Sequence, residues 1–241
     1  MHTPTQARPN PRRRAKPMAV LVLATTLLGS TAGWCTAPDT GTPVEADWIL
    51  AKLARPAPMR TSFVEVRDSR LLKAPLRISG EYSRPDASTL VREVRAPYAE
   101  TTTIVSGKAG GEVTIARAGH APRTFSLSRV PELGGLQSSF GALLSGDRNL
   151  LEQHYRIASA GSRERWTMTL TPKDAQFAAK VRGITLYGRG AELRCIETQS
   201  ANAAEVQRTL LAGAAREAAD AGTGPALAAL CRAAPRTSAA K

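Results

Sequence analysis

Aromatic side chains make up only 5% of the 241 residues, histidine and cysteine occur three times each, and no apolar run after Leu28 approaches the roughly 20 residues that a membrane helix needs. Each shortage excludes something. Nucleic-acid binding wants basic clusters interleaved with exposed aromatics, and here arginine is scattered through the chain with few aromatics beside it. Two late cysteines with distant His120 and His154 offer no zinc-type spacing, so no metal is expected. There is no Gly-x-Ser-x-Gly elbow, no phosphate loop and no His-Glu-x-x-His stretch. Gly107–Gly111 reads as a hairpin turn, because no helix follows it to present a positive dipole end to an anion. The histidines stand alone, which suits packing or surface roles better than general-base catalysis. No enzyme activity and no cofactor are expected. Acids are also scarce: 20 Asp and Glu against 33 Lys and Arg give a net charge of +13. That excess suits anionic membrane surfaces as well as it suits nucleic acid, and so selects neither.

What is present begins at the N-terminus. Arg12–Lys16 is followed by an apolar run from Met18 to Leu28 and then by Gly29, Ser30, Thr31, Ala32 and Gly33, the order of an export signal. Residues 1–37 are read as a signal peptide, with the mature chain starting near Pro38, 38–43 as a flexible leader, and the periplasm as the destination. An uncleaved signal anchor is the alternative. Cys35 sits where a lipidated cysteine would, but Trp34 before it occupies a position that normally carries a small residue. Removal of Cys35 leaves Cys195 and Cys231, an even number in an oxidising compartment; they are read either as a pair or as two separate buried thiols.

Trp48, Ile49, Leu50 and Leu53 fall on one face of a helix that ends before Arg55-Pro56. From Met59 the pattern becomes short alternating runs between Gly, Pro, Asp and Ser: 61–67, 76–82, 89–94, 101–105, 112–117, 123–129, 155–158, 165–171, 181–187, 193–198 and 206–211. Ile78 and Tyr82 share one face with Arg84, whereas Arg77, Ser79, Glu81 and Ser83 take the other. The connections are too short for crossover helices, so the spacing predicts a mainly β fold with some α: an antiparallel, curled sheet of about eleven strands. Helical spacing interrupts it at 131–147, where Phe140, Leu143 and Leu144 recur, and again at 148–152. These helices are expected to cover the concave side and to enclose an apolar cavity or a filled core. The main domain is read as 44–211. The stretch 212–241 is an Ala-rich extension with helices near 214–221 and 225–234, and its end is read as disordered.

Several strings occur together in order: Ser62-Phe63-Val64-Glu65, Tyr82-Ser83-Arg84-Pro85, Thr103-Ile104-Val105-Ser106-Gly107, Phe140-Gly141-Ala142-Leu143-Leu144-Ser145-Gly146-Asp147, and Trp166 through Lys173. Over residues 44 to 211 this set resembles the periplasmic outer-membrane lipoprotein carrier family, LolA, and more closely its branch found with aryl polyene (xanthomonadin-type) clusters. The resemblance implies an unclosed antiparallel β-barrel with a helical lid. It implies a monomeric, non-catalytic carrier of lipid or acylated lipoprotein cargo, working between an inner-membrane transporter and an outer-membrane acceptor. Arg84 matches the family's cavity arginine, which holds the empty form shut through lid carbonyls; Tyr82, Leu90, Ile104, Phe140, Leu143 and Leu144 are the other cargo and lid candidates. Leu90 stands where the lipoprotein carriers have an aromatic residue, and Ser106-Gly107 replaces an Asp-Gly turn. Both departures favour a specialised hydrophobic carrier over a lipoprotein chaperone. A membrane-attached structural or receptor-like envelope protein is the alternative of another class.

Overall fold

A computed structural model describes residues 43–67, 75–107, 110–129, 141–202, 205–218 and 224–232. Its first helix, α1 (Ala46–Leu53), carries Asp47 in the first turn and Lys52 in the last, each favourable to the helix dipole, and buries Ala46, Ile49, Leu50 and Leu53. It ends at Ala54 because Pro56 disfavours helical geometry at the residue before it.

The strands are β1 (Met59–Arg67), β2 (Leu76–Arg84), β3 (Thr89–Ala96), β4 (Glu100–Gly107), β5 (Gly110–Arg117), β6 (Arg123–Ser126), β7 (Tyr155–Gly161), β8 (Trp166–Pro172), β9 (Val181–Arg189), β10 (Glu192–Ser200) and β11 (Val206–Leu211). They form one 11-stranded antiparallel sheet in the order β6-β5-β4-β3-β2-β1-β11-β10-β9-β8-β7. β6 and β7 lie at opposite edges without pairing to each other, so the sheet is not closed. Every neighbour but one is a sequence neighbour; the exception is the seam where Phe63 pairs with Leu211 and Arg67 with Gln207. The alternation that marks these strands in the sequence survives as burial: along β8, Trp166, Met168 and Leu170 are buried and the residues between them are half-buried.

One face, called inner here, is covered by α1, by α2 (141–145), by α3 (Arg148–His154) and by α4 (Ala175–Ala178). Its core joins Ile49, Leu50 and Leu53 of α1, Ala142 and Leu143 of α2 and Leu151 of α3 to Phe63, Ile78, Met168, Leu170, Ile184 and Leu186 of the sheet. Gly146 closes α2 in a left-handed turn (φ +71°), and a Cβ there would meet the Leu50 carbonyl at 3.2 Å, so glycine both ends α2 and lets it approach α1. Asp147 then caps α3 by accepting from the Leu150 N–H.

The sheet is covered on its other face as well, where the sequence pattern placed helices on one side only. After β11 the chain turns through Ala212, a non-glycine residue at φ +48°, into α5 (Ala212–Glu217) and then α6 (Gly224–Arg232). These pack on Val64, Val66, Cys195 and Leu210. β1 is therefore buried on both faces: Phe63 and Glu65 point inward, Val64 and Val66 outward. Cys195 of β10 and Cys231 of α6 are joined by a disulfide, with Cα atoms 5.2 Å apart. Leu127–Arg129, read as the end of a strand, is instead a 3-10 turn that lays Leu127 against Gly111, where a Cβ would come within 2.2 Å of it.

Candidate binding cavity

Between the lid helices and the β1–β2–β3 end of the inner face lies an apolar cavity of about 280 Å³. Leu53, Met59, Leu90, Leu143, Leu144, Leu193 and Leu211 form its walls, and Arg55, Arg60, Arg84 and Glu192 supply its charges. Tyr82, Arg84, Leu90, Leu143 and Leu144, singled out from the sequence, all line it. Ile104 does not. It shares a face with Leu90, its cross-strand partner, but is buried against Val113 and Leu127 in a separate cluster. Phe140 lies outside the described residues. Arg55 and Glu192 were not foreseen; Arg55 was visible only as half of a helix-stopping Arg-Pro pair.

Arg84 holds the mouth together. Its Nη1 donates to the Arg55 carbonyl (3.2 Å) and its Nη2 to the Ala87 carbonyl (3.3 Å). The Arg55 N–H donates to the Leu144 carbonyl (3.0 Å) at the end of α2, and the Arg55 guanidinium donates to Ala191 (3.2 Å) in the β9–β10 turn. The resemblance implied bonds from this arginine to lid carbonyls. Here it grips the exit of α1, and α2 hangs from that exit one bond further along. Asp86 stiffens the loop that supplies the Ala87 carbonyl: its carboxylate accepts from the Ser88 hydroxyl, the Ser88 N–H and the Thr89 N–H, and these bonds lower its pKa.

Beside the cavity a charged group is buried in the inner face. Glu65 is about 1% exposed and bridges Arg92 (3.2 Å) and Arg67. The Arg92 guanidinium lies over the Phe63 ring (4.9 Å), and that ring stacks tilted on Tyr82 at 4.6 Å. Gly80 makes the arrangement possible, because a Cβ there would fall 1.8 Å from the Glu93 carbonyl and 3.0 Å from Phe63. Burial pushes the Tyr82 phenol up to about 12; the Glu65 charge adds to the rise and Arg92 opposes it. A phenol whose folded value lies above its unfolded value of about 10 adds stability that is complete below pH ~10 and is lost as pH rises toward ~12. Chemical denaturation of wild type and Tyr82→Phe across that window should therefore show a steeper alkaline loss in wild type. Parallel curves would remove Tyr82 from the network.

Elsewhere the described residues hold little chemistry. His120 lies exposed beside Glu100, Arg117 and Arg123, and His154 ends α3 exposed. No group of three or more His, Cys, Asp or Glu able to hold a metal ion occurs among the described residues, and no helix among them is long and apolar enough to cross a membrane.

A family model described as outer membrane lipoprotein carrier protein LolA-like matches residues 37–234. The chain belongs to this LolA-like family. Members of the family are non-catalytic periplasmic carriers that bind lipid or lipoprotein cargo. The match takes in α5 and α6, so the extension assigned to 212–241 lies largely within the family's span. Among solved structures, the LolA-like chain is similar to a LolA superfamily protein from Nitrosomonas europaea, with 11% identity over 70% of this chain and 92% of that one (TM-score 0.37). It is also similar to LprF from Mycobacterium bovis, with 13% identity over 72% and 94% (TM-score 0.31). A search of curated proteins found no match.

Proposed function

We propose that this LolA-like chain is a periplasmic carrier that shields a lipid-like hydrophobic cargo, an aryl polyene lipid by the branch it resembles, on its way from an inner-membrane transporter to an outer-membrane acceptor. The observation that carries this reading is the apolar cavity under a helical lid fastened by hydrogen bonds at its mouth. At about 280 Å³ the cavity falls just below the roughly 300–1,000 Å³ of sites that enclose whole drug-sized ligands, so cargo entry requires the lid to lift. The return is large: each methylene taken out of water contributes about 0.8 kcal/mol, enough to offset the few hydrogen bonds broken at the mouth.

Native mass spectrometry with solvent extraction, on protein purified from the periplasm of its own host, tests the reading. A co-purifying polyene lipid supports it; an acylated peptide selects the lipoprotein-chaperone version. An empty protein that takes up no offered lipid overturns it in favour of a membrane-attached structural role. Arg84→Leu bears on the mechanism. Loss of the two carbonyl bonds should favour the open, loaded form about tenfold for a neutral lipid probe and slow its release to acceptor vesicles. Unchanged loading and transfer by a folded variant would take Arg84 out of the fastening.

A further inference from the structure

The charges at the cavity mouth are unbalanced. Three of its lining residues are arginines and one is an acid. The acid is engaged: Glu192 accepts the Gly213 N–H at 2.9 Å and lies 3.7 Å from Nη1 of Arg194. A Cβ at Gly213 would fall 2.6 Å from that carboxylate oxygen, so glycine is what lets the backbone come so near. Arg60 is paired with Glu81, which is not a lining residue. Arg55 and Arg84 are left, and the bonds described for their guanidinium groups go to backbone carbonyls, with no carboxylate partner among the described residues. Two arginine forks at the rim of a leucine-lined chamber make a site with an apolar floor and a cationic mouth.

We infer that the cargo is an anionic amphiphile, an apolar chain ending in a carboxylate or phosphate, whose head is taken by Arg55 and Arg84 while its chain occupies the cavity. This rests on the carrier reading and narrows it. A guanidinium matches the two oxygens of either head with two parallel bonds to an opposite charge, where the Arg55 and Ala87 carbonyls offer it one uncharged acceptor each. Such a head therefore displaces the Arg55 and Ala87 carbonyls from Arg84. Since the Arg84–Arg55 bond belongs to the closed mouth, capture of the head loosens the lid at the moment the chain needs to enter. A neutral head has no equivalent exchange to offer, and a cationic head is repelled.

The test compares probes with one chain and different heads: tetradecanoate, tetradecyl phosphate, tetradecanol and tetradecyltrimethylammonium, each below its micelle concentration and titrated into the full mature chain by isothermal calorimetry. Both anions should bind about tenfold tighter than the alcohol, and the ammonium weakest. The ratio should collapse toward one in an Arg55→Gln/Arg84→Gln double variant shown by circular dichroism to be folded. Equal binding of alcohol and anions by wild type would overturn the headgroup assignment and leave the carrier reading standing. Binding of none of the four would remove both. A preference that persists in the double variant would overturn the assignment to these two arginines, and a preference for only one anion would identify which head the mouth takes.

Discussion

Loss of the Cys195–Cys231 bridge, in a Cys195→Ala/Cys231→Ala variant or by reduction, should lower the unfolding free energy by about 3–4 kcal/mol. The bridge closes a loop between residues 36 apart, and releasing it returns that much conformational freedom to the unfolded chain. Against a typical total of roughly 5–15 kcal/mol the change is large. Without the bridge α6 is held by the burial of Leu227, by the Cys231 position itself and by the Arg232–Glu197 ion pair (3.2 Å). Urea denaturation with and without reductant gives the free energy, and hydrogen exchange should show amides 224–232 losing protection first. Coincident unfolding curves would show that the two sulfurs are not bonded in the protein.

The second large effect concerns Glu65. Glu65→Leu removes the counter-charge of Arg92, whose side chain is about 17% exposed and packed over Phe63, and should cost about 3–5 kcal/mol because a charge is left unpaired in the core. Arg67 is half-exposed and can turn to solvent; Arg92 has far less room to do so. Replacing both, as Glu65→Leu/Arg92→Met, should recover most of the loss, since two apolar side chains of similar volume need no partner. A double-mutant cycle by denaturation measures the coupling. Additive losses would show that the pair does not act as a unit.

Much of the fold could be read in advance because alternation is a local property. Trp166, Met168 and Leu170 mark an inner face wherever the strand lies, and Arg84 shares the parity of Ile78 and Tyr82 and meets the cavity for that reason. Parity gives the face but not the lateral position on it. Ile104 and Leu90 are partners across β3 and β4, yet strands lie about 4.8 Å apart and one step outward carries Ile104 from the lid to the cover of Leu127. Burial of Glu65 was latent in the run Phe63-Val64-Glu65-Val66. Apolar residues of both parities around a lone acid mean a strand covered on two sides, but the covering helices lie near the other end of the chain. The Arg55 contacts had no local signal, because they depend on where α1 ends relative to the end of α2, about 90 residues later, and to the β9–β10 turn, 136 residues later.

The order of strands sets an order of assembly. From β1 outward to β6, and from β7 inward to β11, each new strand joins the one just made, or nearly so, and every such step closes a short loop. The β1–β11 seam alone joins residues roughly 150 apart, and its last paired strand ends at Leu211. A chain emerging N-terminus first therefore holds two ribbons with no strand pairing between them until its final segment arrives. α5, which touches β1, β10 and β11, then lies across the join, and Arg77 of β2 donates to the Ala218 carbonyl just past its end. A chain cut after β11 would possess every strand of the receptacle and lack the cross-brace over the one join that short loops do not make.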